Sequence, residues 1–244
     1  MTRGLEPLLD ELQQQGNPEQ AVFAQRFFKT GPGEYAEGDR FLGIRVPVLR
    51  SIARRYRHLA LSELETLLHS PIHEHRLVAL ILLSEQFRRG DKGMRRQIYH
   101  LYLANTRYIN NWDLIDISAA HILGAYLHGR DPAPLFKLAA SAHWWDRRIA
   151  VIATLHAIRG GEFATILALA ECLLHDPHAL IHKAVGWMLR EVGKRDPASA
   201  EAFLQHHCGH MPRTMLRYAI EKLPENRRNA FLKGLICDEL PGKG

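Results

Sequence analysis

IHKAVGWMLREV, residues 181–192, carries its apolar side chains at Ile181, Ala184, Val185, Met188, Leu189 and Val192. Steps of three and four residues put all of them on one face of an α-helix and scatter them over both faces of a strand. Comparable helical runs lie at 74–87 (EHRLVALILLSEQF), 111–127 (NWDLIDISAAHILGAYL), 145–158 (WDRRIAVIATLHAI) and 213–224 (RTMLRYAIEKLP), separated by shorter helical segments and DP, SP or MP breaks. Anchored on Arg76, Trp112, Arg148, Ala184 and Arg217, the runs recur at intervals of 36, 36, 36 and 33 residues. A helix pair returning at that period is the signature of an α-solenoid near the HEAT and armadillo class, since one pair cannot bury its apolar face without neighbours. The expectation is an all-α solenoid of HEAT-like antiparallel helix pairs, curved, with the second helices lining a basic concave groove. No linker or change of composition divides it, so residues 1–244 are expected to form a single domain.

The bulk properties fit. The chain has 244 residues, 46% of them hydrophobic, and can bury a substantial core. A formal charge of +6 and a pI near 9.4 suit a polyanionic partner without identifying one. Cys172, Cys208 and Cys237 are odd in number and widely spaced, which argues against a disulfide framework and for a reducing compartment. The N-terminus turns acidic within six residues and lacks a signal-peptide core, and no apolar run approaches a membrane span. A soluble intracellular monomer is expected.

GLEPLLDELQQQG predicts a first amphipathic helix closed by Gly16, and NPEQAVFAQRFFK a second, with Asn17 as N-cap and Pro18 in its first turn. GPGEYAEGD, residues 31–39, reads as a loop; its acidic residues have the wrong sign for cradling phosphate.

The polar residues of the second helices are Arg76; Trp112 and Asp116; Arg147 and Arg148; Lys183, Trp187 and Arg190; Arg213 and Arg217. Trp112 and Asp116 share a face, as do Lys183 with Trp187 and Arg213 with Arg217, each pair four residues apart. In register they would line a groove of cations and indoles suited to a nucleic-acid backbone and its sugars or bases. The alternative is a solvated basic face with tryptophans wedged between repeats. Asp113, in the first turn, suits the helix dipole. Asp116 lies deeper, where it serves either as a salt-bridge partner of Arg148 or as a group with chemical work.

NNWDLIDISAAHILG (110–124), WWDRR (144–148), IHKAVGWMLRE (181–191) and FLGIRVPVLR (41–50) together resemble the AlkD-like DNA alkylation repair family, over about Phe23 to Leu223. The resemblance implies a HEAT-like repeat DNA glycosylase acting on N3- and N7-alkylated purines in double-stranded DNA. It places the catalytic carboxylate on Asp116, the groove tryptophans on Trp112 and Trp187, and groove arginines on Arg148 and Arg190. A position that is tyrosine in some relatives falls on Phe27, and Arg45 matches a variable DNA-facing position. Lys183, Arg147, Arg213 and Arg217 would add phosphate contacts. A cationic purine leaves neutral and needs no general acid, which fits one essential carboxylate where glycosidases usually place two. No cofactor or metal is expected, no lysine is placed for a lyase step, and the location implied is a bacterial-type cytoplasm, associated with the nucleoid through DNA. The competing expectation is a non-catalytic HEAT-type module that grips DNA or an acidic protein.

Three further signals point to structure instead. HHCGH (206–210) spaces its groups poorly for one tetrahedral ion. Cys172 sits in an apolar helix and reads as core. Trp144 reads as a residue between repeats.

Overall fold

The computed structural model describes residues 4–237. The chain divides into two compact units between Tyr126 and Leu127, where the sequence suggested one domain. In the first unit, α1 (Leu5–Gln14), α2 (Pro18–Phe27), α3 (Val46–Arg55), α4 (Leu61–Leu68), α5 (His73–Arg89) and α6 (Lys92–Ala104) precede α7 (Trp112–Ser118). A π-helical turn, Ala120–Gly124, then leads into α8 (Ala125–Leu127), which crosses the division. The second unit holds α9 (Ala133–Ala139), α10 (Trp144–Ala153), α11 (Leu155–Arg159), α12 (Ala164–Cys172), α13 (Ala179–Gly193), α14 (Pro197–His207), α15 (Arg213–Ala219) and α16 (Glu225–Leu232). Among the described residues the only β-type pairing is an isolated bridge between Arg40 and Ile72, so the all-α, helix-pair class holds.

Each unit is built around one long helix. In the first, α5 buries Leu77, Val78, Leu80, Leu82, Leu83 and Phe87 and meets α3, α4, α6 and α7. In the second, α13 buries Ile181, Val185, Met188, Leu189 and Val192 and meets α10, α14 and α15. At Gly186 an added Cβ would lie 2.4 Å from the Met215 carbonyl oxygen, so this glycine lets α15 close onto α13. Asn17 caps α2 as expected, its Oδ1 accepting the Gln20 N–H at 2.9 Å.

The hydrogen bonds reveal a register that the intervals did not. Ser70, Ser141 and Asp176 each stand six residues before a donor and take the same part. Their side chains accept the N–H two residues on, at Ile72 (3.1 Å), His143 (3.1 Å) and His178 (2.8 Å). Their carbonyls bond the side chains of Arg76 (3.0 Å), Arg147 (3.0 Å) and His182 (2.5 Å). The equivalent positions are therefore Arg76, Arg147 and His182. This is one step off the column that joined Arg76 to Trp112 and Arg148. The expectation that Arg76 faces a groove is corrected accordingly: it is buried, and its Nη2 pairs with Asp39 Oδ1 at 2.5 Å.

Two cysteine expectations also change. Cys172 is exposed, because α12 buries Ile166, Leu169 and Ala170 and its last residue turns away from that face. Cys208 and Cys237 form a disulfide, with Cα atoms 5.8 Å apart, which ties the segment after α16 to the end of α14. The separation of 29 residues hid the pair in the sequence.

Candidate functional site

The first unit presents Trp112 and Asp116 on α7, both half-buried and one helical turn apart. Several contacts fix the start of that helix. Asn111, fully buried, caps it by accepting the Trp112 N–H at 2.8 Å, and its Nδ2 reaches Asp39 Oδ2 at 3.4 Å. Asp113 accepts the Leu114 N–H at 2.8 Å through Oδ1, while its Oδ2 lies 2.8 Å from His73 Nε2. Asp113 thus does more than suit the helix dipole. Beyond Asp116, Ser118 Oγ donates to the Leu114 carbonyl at 2.6 Å and meets the Tyr102 hydroxyl at 3.0 Å. The π-turn follows, with the Gly124 N–H reaching the Ala119 carbonyl at 2.9 Å, five residues back.

The Trp112 indole is held from two sides. Phe28 stacks on it at 5.2 Å between ring centroids, and Phe27 meets it edge-on at 5.9 Å. Its Nε1 donates to the Tyr35 hydroxyl at 3.3 Å. The 31–39 loop thus supplies a hydroxyl near the site although the aromatic on α2 is Phe27, which has none. Phe23 and Phe27 remain 65% and 54% exposed, and α2 buries no residue at all.

Behind this surface lies a buried polar cluster that the sequence did not expose. Asp39 pairs with Arg76 and with His73 Nδ1 at 3.2 Å, and the other His73 nitrogen meets Asp113. Burial works to raise the Asp39 pKa, but the hydrogen bonds and charges of His73 and Arg76 outweigh it and hold the carboxyl below its usual range. The neighbouring Glu74 takes three backbone amides, Leu42 at 2.9 Å, Gly43 at 2.8 Å and Ile44 at 3.2 Å. FLGIR is thus a clasp that fixes the chain before α3. One signal could have found the cluster: four ionisable residues, His73 to Arg76, open the long helix at the centre of the unit, and buried polar groups require partners.

In the second unit, Arg147 is committed to its own fold. Its Nε and Nη2 bind the Asp176 carboxylate at 2.6 and 3.3 Å, and its Nη1 reaches the carbonyls of Ser141 and Ala142. That geometry runs against its expected role as a phosphate ligand. Arg148 is 5% exposed and donates to the Leu180 carbonyl at 3.0 Å. Trp144 stacks on His178 at 3.9 Å and lies tilted against the buried Trp145. Trp187 is half-buried and donates a hydrogen bond to Glu191; together with Lys194 and Arg195 it holds that carboxyl below its usual range against the opposing effect of burial. Arg190 pairs with Glu221. Lys183, Arg213 and Arg217 are exposed, as is Arg45 at the start of α3 in the first unit. In HHCGH, Cys208 is taken by the disulfide and His207 lies 3.4 Å from Glu171.

Among the described residues no helix is long and apolar enough to cross a membrane. A solved structure described as a predicted DNA alkylation repair enzyme from Enterococcus faecalis is similar in fold, with a TM-score of 0.67 over 86% of this chain and 98% of its own, at 17% identity. No curated protein matches the sequence. The model of the DNA alkylation repair enzyme family matches residues 8–223, and the chain belongs to that family.

Proposed function

We propose that the protein is a monofunctional DNA glycosylase that releases cationic N3- and N7-alkylated purines from duplex DNA. One observation carries this: a half-buried carboxylate, Asp116, stands one turn beyond a tryptophan that is braced by two phenylalanines and a tyrosine hydroxyl. A helix pinned this firmly suits electrostatic catalysis, which depends on groups already aimed at the developing charge. As the glycosidic bond breaks, positive charge grows on the deoxyribose and the base departs neutral. Asp116 stabilises the oxocarbenium ion and orients or deprotonates the attacking water. Trp112 and Trp187 offer indole faces to a cationic nucleotide or sugar, worth roughly 0.5–2 kcal/mol each.

Lys183, Arg213, Arg217 and Arg45 are exposed and contact phosphates. Phe27 lies against the DNA beside Trp112. Arg148 and Arg190, both largely buried in the second unit, orient their neighbours there and add positive potential toward DNA. Arg147 contributes by holding its repeat together. The protein works as a monomer, with DNA in the cytoplasm.

The test is release of 7-methylguanine and 3-methyladenine from methylated duplex DNA by the wild type and by Asp116→Asn. Release by the wild type and a loss of roughly a hundredfold or more in the variant, with duplex affinity kept, supports the proposal. Duplex binding without release by either protein would instead identify a module that grips DNA.

A further inference from the structure

We propose that His73 is a positioning residue of this site, acting in its doubly protonated form to hold Trp112 and the first turn of α7, and through them Asp116, in working geometry. The proposal rests on the glycosylase function for its kinetic consequence and on geometry for the rest.

Both ring nitrogens of His73 face carboxylates: Nδ1 is 3.2 Å from Asp39 Oδ2 and Nε2 is 2.8 Å from Asp113 Oδ2. A neutral imidazole has one N–H and would leave a carboxylate facing a lone pair; only the imidazolium serves both. The side chain is 2% exposed, so water cannot supply the missing donor. A second route runs through rings. Phe41 stacks on His73 at 4.5 Å, Phe28 meets it at 5.1 Å, and Phe28 in turn stacks on Trp112. One buried cation therefore reaches α7 twice, through the Asp113 carboxylate and through the ring beneath Trp112.

The surrounding charges agree. From α5, Arg76 neutralises the other oxygen of Asp39, and Glu74 is turned to the Leu42, Gly43 and Ile44 amides. From the turn before α7, Asn111 contributes only a neutral amide. Burial drives the proton off His73, but Asp113 and Asp39 outweigh it and raise the pKa to about 9. The cation thus persists through neutral pH and is lost on the alkaline side.

The experiment uses the full chain, wild type against His73→Gln, with two readouts across about pH 6 to 10.5. The first is tryptophan emission, which needs no reaction. In the wild type it changes with a midpoint near 9, and the change is absent from both His73→Gln and Trp112→Phe. The second is the single-turnover rate of 7-methylguanine release, corrected for uncatalysed loss. The wild-type rate falls on the same alkaline limb. His73→Gln is slowed about tenfold at pH 7, lacks the limb and keeps duplex affinity within about twofold, since misplacement of a catalytic group affects the chemical step. An emission change that persists in His73→Gln, or that is missing from the wild type, overturns the proposal. So does a His73→Gln enzyme with the wild-type rate and limb. If the variant fails to fold, His73→Asn takes its place under the same criteria. Emission that behaves as expected beside a wild type that releases no base upholds the positioning of Trp112 and sinks the glycosylase function instead.

Discussion

Gly43 has φ +79°, and an added Cβ would lie 2.2 Å from the Asn17 carbonyl oxygen and 2.4 Å from the Ala21 nitrogen. Both obstacles are backbone at the start of α2, so nothing can swing aside. Gly43→Ala is expected to lower the unfolding free energy by about 3 kcal/mol, measurable by urea denaturation. His73 makes its contribution to stability through a proton. Its folded pKa is raised, so the contribution is fully present below the ordinary value of 6.5 and disappears as pH climbs through about 9. The thermal midpoint of the wild type should exceed that of His73→Gln at pH 6 and converge toward it above pH 9, and a difference that grows with pH would contradict this. The placing of Asp116 one turn beyond Trp112 on a single helix was legible from the sequence because they lie four apart. His73 was not, since its partners stand 34 and 40 residues away, and neither spacing has a periodicity to betray it.

Among the elements, α10 shows most directly how similar residues divide into different work. Arg147 and Arg148 are adjacent and both basic, which made them look alike as phosphate ligands. The turn at Ser141 and the Asp176 carboxylate capture the first within its own unit. Asp176→Ala would leave the Arg147 guanidinium largely buried without its counter-charge, at an expected cost of 3–5 kcal/mol in roughly the measure known for broken buried pairs. Thermal or denaturant unfolding would show it. Lys183, exposed on α13, should behave in the opposite way. Lys183→Ala is expected to leave stability within about 0.5 kcal/mol and to reduce the salt dependence of duplex binding by about 0.9 in log–log slope. Binding isotherms at several salt concentrations separate the two, because a structural arginine does not change that slope. The helix pairs themselves were legible because the apolar period is strong. Their register was not, since it is written in side-chain bonds to carbonyls six residues back.

Over the whole molecule, a net charge of +6 states only that DNA is a suitable partner; the placement of the charge decides how it binds. Several basic side chains read as groove cations are spent on carboxylates, and the exposed set is smaller than the sequence suggested. The polyanion partner and the family were within reach of the sequence, whereas the division at Tyr126 left no mark in composition. The π-turn at Ala120–Gly124 is equally silent, because its apolar residues continue the helical pattern on either side. It carries a historical implication. A hydrogen bond spanning five residues stores one residue more than a regular turn requires, as a single-codon insertion would leave it. Deleting Ala120 would restore an uninterrupted α-helix and leave Trp112 and Asp116 undisturbed upstream. Because the wide turn already absorbs the extra residue, the end of the helix would keep its place. Tyr126, stacked on Tyr99 at 4.0 Å, would stay on its neighbour. The extra residue is thus slack held within one turn, and a chain that lost it would keep the contacts that follow.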